Sequence, residues 1–163
     1  MEIKVKHLTK EEFAEYGQFN DMLDSGRAGF GTEAFTFYRD CVRYATQAPV
    51  LGMSTLSVKK DERFQLQALE YHNYASEVMM PMDDDAVLFL AKAGSSEEPS
   101  ENEVEAFIVP KNVIVHLNPG VWHYMPLPLH NSEVNVLIVL PERVYHNDLF
   151  SVDMSAKEIS DTI

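Results

Sequence analysis

The residues best suited to chemistry begin with two carboxylates and a histidine close together in the chain. Glu70 and His72 are two positions apart, and Glu77 follows five positions after His72. On a β-strand, residues two apart project from the same face of the sheet. The turn-forming stretch 73–76 (NYAS) lets the chain fold back, so that Glu77 approaches the same place.

A second histidine lies in a context that favours a defined position. His123 follows the sequence Pro119-Gly120-Val121-Trp122, in which Pro-Gly predicts a tight turn just before a strand. His72 and His123, with Glu70 and Glu77, supply two imidazoles and two carboxylates. This donor set suits a first-row divalent metal such as nickel, manganese, iron or zinc. A Glu–His pair also occurs as a simple hydrogen-bonded pair in a metal-free core, so both interpretations remain open.

The elements that must position these residues are mostly strands. Short apolar or alternating segments separated by turn residues predict an all-β sandwich or barrel of eight to ten strands. The predicted strands are 3–7, 35–38, 51–58, 64–71, 78–80, 86–91, 104–109, 113–117, 134–140 and 145–152. Thr9 and Glu12 form a capping box, which predicts a helix of about two turns from Thr9 to Tyr16, ended by Gly17. A polar tail follows from about residue 153, where Ser155 and Glu158 predict one last helix cap.

Composition narrows the class of protein. The chain has 163 residues and is 45% hydrophobic, enough for one substantial core and too apolar for a disordered chain. We expect a single domain over 1–163. The formal net charge of −13 disfavours nucleic acid and anionic membranes as partners.

The lone Cys41 forms no internal disulfide, and we take it as a small, partly buried hydrophobic residue. The first residues lack the apolar stretch of a signal peptide, so we expect a cytoplasmic protein.

Five blocks of the sequence resemble a known family. The pattern Glu70-x-His72-x4-Glu77, with Gly120-Val121-Trp122-His123 further on, resembles the two motifs of the cupin superfamily. The closer resemblance is to the ureidoglycolate lyase family within the cupins. It is carried, in the family's order, by residues 8–17, 69–72, 77–81, 105–109 and 120–127.

The resemblance implies a double-stranded β-helix, or jelly-roll barrel, that is often dimeric. It also implies an enzyme that splits ureidoglycolate into glyoxylate and urea during the degradation of allantoin and purines. Carried over by motif, Glu70, His72 and His123 fall on pocket positions of the family. Glu77 stands where the family commonly has glutamine, and the segment 56–60 has Lys59 and Lys60 where the family usually has an arginine.

In this interpretation, Glu70 and His72 are the catalytic residues. The metal ligands are His72, Glu77 and His123, and Glu70 is either a fourth ligand or the general acid and base. Lys59 and an inward-facing His116 would bind a small substrate that carries a carboxylate. The alternatives are a cupin that binds a small ligand without catalysis, and another metal-dependent cupin enzyme such as an isomerase or dioxygenase. We expect a homodimer.

Overall fold

The computed structural model describes residues 3–23, 30–61, 65–94 and 98–158. Within these ranges it consists of strands, two one-turn helices and a 3-10 turn at Glu101–Glu103. The helices are α1 (Lys10–Phe13) and α2 (Val144–Asn147). The strands are β1 (Val5–His7), β2 (Gly17–Asp21), β3 (Phe30–Thr32), β4 (Phe35–Phe37), β5 (Leu51–Lys59), β6 (Gln65–Tyr71), β7 (Glu77–Pro81), β8 (Ala86–Ala91), β9 (Glu105–Val109), β10 (Val113–Leu117), β11 (Trp122–His123), β12 (Leu127–Pro128), β13 (Glu133–Pro141) and β14 (Phe150–Glu158).

Two sheets form the body of the protein. The first has the order β1-β9-β8-β11-β6-β14, with β12 also paired to β8, and the second has the order β2-β10-β7-β13-β5. All pairings are antiparallel except that of β1 with β9. Strands β3 and β4 make a separate two-stranded sheet. Strand content is 49% and helix content 7%, and the predicted all-β fold is confirmed.

The core lies between the two large sheets. Every residue of β8 is fully buried, as its unbroken apolar run predicts for a central strand. In β13, buried and half-buried residues alternate, which places one face of this strand on the core. In this core Phe13 and Tyr16 both pack edge to face against Phe107, with ring centroids 5.7 Å apart, and are tilted relative to each other at 6.0 Å.

Helix α1 begins as the capping box predicts. The Thr9 hydroxyl accepts a hydrogen bond from the Glu12 amide, which satisfies one of the free N–H groups of the first turn. The helix spans one turn rather than two, because residues 14–16 form a turn in which the Tyr16 amide donates to the Phe13 carbonyl before β2 begins at Gly17. A Cβ atom at Gly17 would lie 1.9 Å from the carbonyl oxygen of His116, so only glycine allows this close approach of β2 and β10.

Two predictions near the carboxyl end are wrong. The segment 145–152 is not one strand: residues 144–147 form α2, and its last turn is closed by the Asp148 amide bonded to the Val144 carbonyl. Within the described residues, 153–158 do not form the predicted polar tail or helix cap. They continue β14, because pairing with β6 satisfies backbone groups that a free tail would leave to water.

Two predicted features lie partly outside the described residues: the start of the strand at Phe64 and the end of the polar tail, from 159 onward. Within the described ranges, no helix is long and apolar enough to cross a membrane.

Candidate active site and metal centre

Neighbouring strands bring four predicted site residues to one end of the barrel. Glu70 lies near the end of β6, and His72 follows directly after that strand. His123, in β11, is paired directly with Glu70, so the two side chains start from adjacent positions. Glu77 is the first residue of β7 in the other sheet. The loop 73–76 therefore carries the chain from one sheet to the other and sets Glu77 opposite the two histidines.

The side chains meet at short distances. Both His72 Nε2 and His123 Nε2 lie 3.0 Å from the same oxygen, Oε2 of Glu77. His123 Nε2 is also 3.7 Å from Oε1 of Glu70. His72, Glu77 and His123 are all buried, whereas the side chain of Glu70 is 41% exposed. Glu70 is thus the member of the cluster that solvent or a ligand reaches most easily.

Backbone carbonyls orient both imidazoles. Nδ1 of His72 lies 2.7 Å from the carbonyl oxygen of Asp148, and Nδ1 of His123 lies 3.0 Å from that of Val121. A carbonyl only accepts hydrogen bonds, so each Nδ1 carries the hydrogen and each Nε2 faces Glu77. In a neutral imidazole this Nε2 is an acceptor. Three acceptor atoms then face one another, and a cation, either a proton or a metal ion, must lie among them.

Protons can fill this role when no metal is bound. Burial works against a charged His72, but the Glu77 hydrogen bond and the Asp148 carbonyl outweigh it and raise the pKa of His72. Burial likewise opposes charge on His123, and the negative charge of Glu77 raises its pKa overall. For Glu77, burial favours the neutral acid, yet the two imidazoles lower its pKa to about 2.

The same atoms fit a metal ion. One donor atom each from Glu70, His72 and His123 lie within 4.8 Å of one another. Although His123 Nε2 is only 3.0 Å from Glu77, it has no hydrogen-bond partner of suitable geometry among the described residues. A buried nitrogen that is fixed in direction and lacks such a partner is well placed to be a ligand. Glu77 supplies a further carboxylate oxygen at the same point.

A cavity of about 260 Å³ opens against this cluster. Glu70, His72 and Glu77 form its polar wall. Most of the remaining wall is apolar and comes from β5, β7, β13, α2 and the segments beside them: Leu56, Met79, Met125, Pro126, Ile138, Leu140, Val144 and Leu149, with Ser54, Thr55 and Tyr145. None of the described residues that line the cavity is a lysine or an arginine.

The two predicted substrate-binding residues lie elsewhere, and these assignments need correction. Lys59 ends β5 next to Val58, which faces the core, so Lys59 points outward. His116 is paired with Val78, the neighbour of Glu77, and side chains of successive residues alternate between the faces of a strand. His116 is therefore on the outer face of its sheet, where the ring of Tyr44 packs edge-on against it at 5.6 Å.

Sequence reasoning did not find Asp148. Its carbonyl orients His72, and its carboxylate accepts hydrogen bonds from three successive amides of the loop 73–75. Asp148 follows His72 by 76 positions, and the only local signal is an Asn-Asp pair after an apolar segment. That signal predicts a turn, not a contact with a particular loop.

Two apposed, mainly antiparallel β-sheets enclose the core, and the His/Glu cluster lies at one end of them, as in the jelly-roll barrel that the sequence resemblance implies. The family model for ureidoglycolate lyase matches residues 1–159. The chain therefore belongs to the ureidoglycolate lyase family, and the resemblance noted in the sequence is confirmed.

Other comparisons give more distant similarity. One solved structure of Bacillus subtilis oxalate decarboxylase, in work on the Mn(II) centres of that enzyme, has 12% identity and a TM-score of 0.43, and the alignment covers 64% of this chain and 24% of that one. Another, determined at pH 4.6, has 11% identity and a TM-score of 0.42, with 64% and 23% covered. This chain thus spans about a quarter of the length of those structures. Comparison with curated protein sequences gives no match.

Proposed function

We propose that this protein is a metal-dependent lyase that cleaves ureidoglycolate into glyoxylate and urea. The observation that carries the proposal is the convergence of two buried imidazole nitrogens and a buried carboxylate on one point in the wall of a cavity. In the proposal His72, Glu77 and His123 are the metal ligands. Glu70 is the acid and base or a fourth ligand. Family membership supports the choice of substrate.

The electrostatics of the cavity support a metal in this role. The substrate carries a carboxylate, and the protein has a formal net charge of −13, so long-range attraction does not bring the two together. No lysine or arginine is present among the described residues that line the cavity. Among the described residues of the cavity wall, the His/Glu cluster is therefore the place where positive charge for the substrate can be held. A divalent ion held by His72, Glu77 and His123 would supply this charge, and as a Lewis acid it would make the substrate hydroxyl more acidic.

The reaction requires only that one proton move from oxygen to nitrogen. In ureidoglycolate a single carbon bears the hydroxyl, the carboxylate and the ureido nitrogen. The O–H bond and the C–N bond break, the C=O bond of glyoxylate forms, and the nitrogen of the departing urea gains the proton. One carboxylate beside the substrate, Glu70, can accept the proton from oxygen and return it to nitrogen. The apolar walls at Leu56, Met79 and Ile138 keep bulk water from competing for that proton.

The proposal also covers the metal, the cellular location, the assembly state and the partners. Nickel, manganese, iron and zinc all suit a donor set of two imidazoles and carboxylate oxygens. We propose a cytoplasmic protein whose chain forms one cupin domain, assembles as a homodimer and acts on a small carboxylate. We propose no nucleic-acid or membrane partner, because the acidic surface disfavours both.

The test measures glyoxylate and urea released from ureidoglycolate before chelation, after chelation and after separate addition of nickel, manganese, iron or zinc. We expect activity to fall on chelation and to return with one of the metals. The variant Glu70→Gln should keep the melting temperature of the wild type and lose about 10²–10⁴-fold in kcat. Glu142→Gln removes an exposed carboxylate that does not line this cavity and serves as the control.

The outcomes separate the alternatives. If Glu70→Gln keeps its metal content, Glu70 is the acid and base, whereas loss of the metal makes it a ligand. Full activity after exhaustive chelation would refute the metal role. If no glyoxylate appears with any of the four metals, the lyase proposal is wrong and a ligand-binding cupin becomes the better account. Turnover that needs iron and oxygen would instead indicate a dioxygenase.

A further inference from the structure

We propose that Asp148 is a positioning residue that brings His72 and Glu77 to the same point, and that it thereby sets the affinity of the site for a divalent metal. The inference rests on the proposed metal site and assigns a role to a residue that lies outside the ligand set. Asp148 follows α2 and is buried.

The Asp148 carboxylate fastens the loop that joins the two ligands. Its Oδ1 accepts a hydrogen bond from the Asn73 amide at 2.9 Å, and its Oδ2 accepts from the amides of Tyr74 and Ala75 at 2.8 and 3.0 Å. These three donors occupy most of the loop between His72 and Glu77. A charged acceptor makes stronger hydrogen bonds to amides than a neutral one does. The carboxylate therefore fixes the path by which the chain crosses from one sheet to the other.

The backbone of Asp148 orients the ligand itself. Its carbonyl oxygen lies 2.7 Å from Nδ1 of His72, which keeps the hydrogen on Nδ1 and leaves Nε2 for the metal. The His72 carbonyl in turn accepts a hydrogen bond from the Gly120 amide at 2.7 Å, just before His123. Asp148 thus orients His72 through its own carbonyl, and it fixes the path of the chain to Glu77 through its carboxylate.

Helix α2 connects Asp148 with the cavity. The Asp148 amide donates to the Val144 carbonyl at 2.8 Å, and Val144 and Tyr145 both line the cavity. When the carboxylate no longer accepts the hydrogen bonds from the amides of residues 73–75, the carbonyl at position 148 is free to move away from His72. The imidazole then samples both tautomers and other ring orientations. The metal site would have to be ordered at the moment of binding, which weakens the affinity.

The variant that tests this is Asp148→Asn, which keeps the shape of the side chain. An amide has one oxygen, and its NH₂ group would face at least one of the three amide donors, so the three-bond arrangement cannot be kept. The matched control is Asp84→Asn. Asp84 is also buried, and its Oδ2 accepts hydrogen bonds from the amides of His130 and Asn131 at 3.0 and 2.9 Å. It lies beyond the far end of β7 from Glu77 and does not line the cavity.

Two measurements distinguish positioning from general stability. Long-range ¹H–¹⁵N spectra of the metal-free protein report which nitrogen of His72 carries the hydrogen. Calorimetric titration with Ni²⁺ or Mn²⁺ gives the affinity of the site. We expect both variants to melt at lower temperature than the wild type. Only Asp148→Asn should mix the His72 tautomers and weaken metal binding, by about 10–100-fold as for other groups that orient metal-bound histidines.

Metal affinity within twofold of wild type, with an unchanged His72 tautomer, would refute the role of Asp148. An equal loss of affinity in Asp84→Asn would also refute it, because the effect would then be general destabilisation. If wild-type protein binds no metal, the proposed function fails, and the tautomer of His72 in the metal-free protein still tests the positioning role. Should Asp148→Asn fail to fold, Asp148→Ser provides a smaller side chain with one hydroxyl acceptor for the same two measurements.

Discussion

The substitution Glu77→Gln in metal-free protein tests the electrostatics of the site directly. Glu77 is buried, and one of its oxygens lies 3.0 Å from Nε2 of both His72 and His123. Glutamine has nearly the same shape but carries no charge. The substitution therefore removes the attraction between the carboxylate and the two imidazoles while leaving the packing almost unchanged. Two buried imidazoles lose their counter-charge and become costly to protonate.

The pKa of Glu77 gives the size of the effect. It falls from an ordinary value of 4.5 to about 2 despite the cost of burial, because both imidazoles favour the charged carboxylate. A difference of roughly 2.5 in pKa between the unfolded and folded states corresponds to about 3 kcal/mol of stability. We expect Glu77→Gln to lose about this much, which lowers the melting temperature of a chain of this length by roughly 6–12 °C.

The loss of stability in Glu77→Gln should become smaller both at lower pH and at higher pH. The folded carboxylate has a lowered pKa, so its contribution is complete above 4.5 and disappears as the pH falls toward 2. The folded histidines have raised pKa values, so their contribution is complete below the ordinary 6.5 and disappears as the pH rises through the folded values. The stability difference between wild type and Glu77→Gln is therefore largest between pH 4.5 and 6.5.

The assay is equilibrium unfolding in urea with a chelator present, at intervals of one pH unit from 4 to 9. Glu133→Gln removes the same charge from a half-buried position on β13, away from the site, and serves as the control. A Glu77→Gln variant that matches wild type at pH 6 would refute the electrostatic argument. So would a loss that stays constant from pH 4 to 9, since that would arise from packing and not from charge.

Two further predictions concern the fold. Burial under Tyr44 lowers the pKa of His116, and neither ring nitrogen has a hydrogen-bond partner among the described residues. The unfolded chain therefore binds the proton more tightly, so the free energy of unfolding falls as the pH drops below the ordinary value of 6.5. We expect His116→Leu to lack this fall when urea unfolding is measured between pH 7 and 5. Equal dependence of the unfolding free energy on pH in wild type and variant would contradict the argument. Gly17→Ala forces a Cβ against a backbone oxygen and should cost more than about 1 kcal/mol in thermal unfolding. The control Gly52→Ala, where the nearest atom is at 3.8 Å, should cost less, and equal losses would show that the contact at Gly17 is relieved easily.

Much of the fold follows from short-range patterns in the sequence. The unbroken apolar run at 86–91 predicts a central strand, and this segment is β8, buried on both faces. The capping box at Thr9 predicts the start of α1. Among the site residues, the positions of Glu70 and His72, two apart near the end of a strand, place both on the cavity wall. These features depend on residues close together in the chain, so local spacing is sufficient to predict them.

The faces of the second sheet and the distant contacts were decided by the tertiary structure alone. His116 has neighbours of the same character as His123, and only its pairing with Val78 shows that it lies on the outer face. Lys59 lies outside the cavity because its register with Glu133 fixes which way β5 presents its side chains. A shift of one residue would reverse both results, and a single sequence does not specify the register.

Asp148 illustrates the same limit most clearly. Its three amide contacts and its bond to His72 join segments that are 73 to 76 positions apart. The residues around it form α2, although their apolar character predicts a strand. Its partners are main-chain groups, which every residue possesses, so nothing in the sequence marks them. The identities of the proposed ligands can be read from the sequence, but what orients them emerges only when the two sheets are assembled.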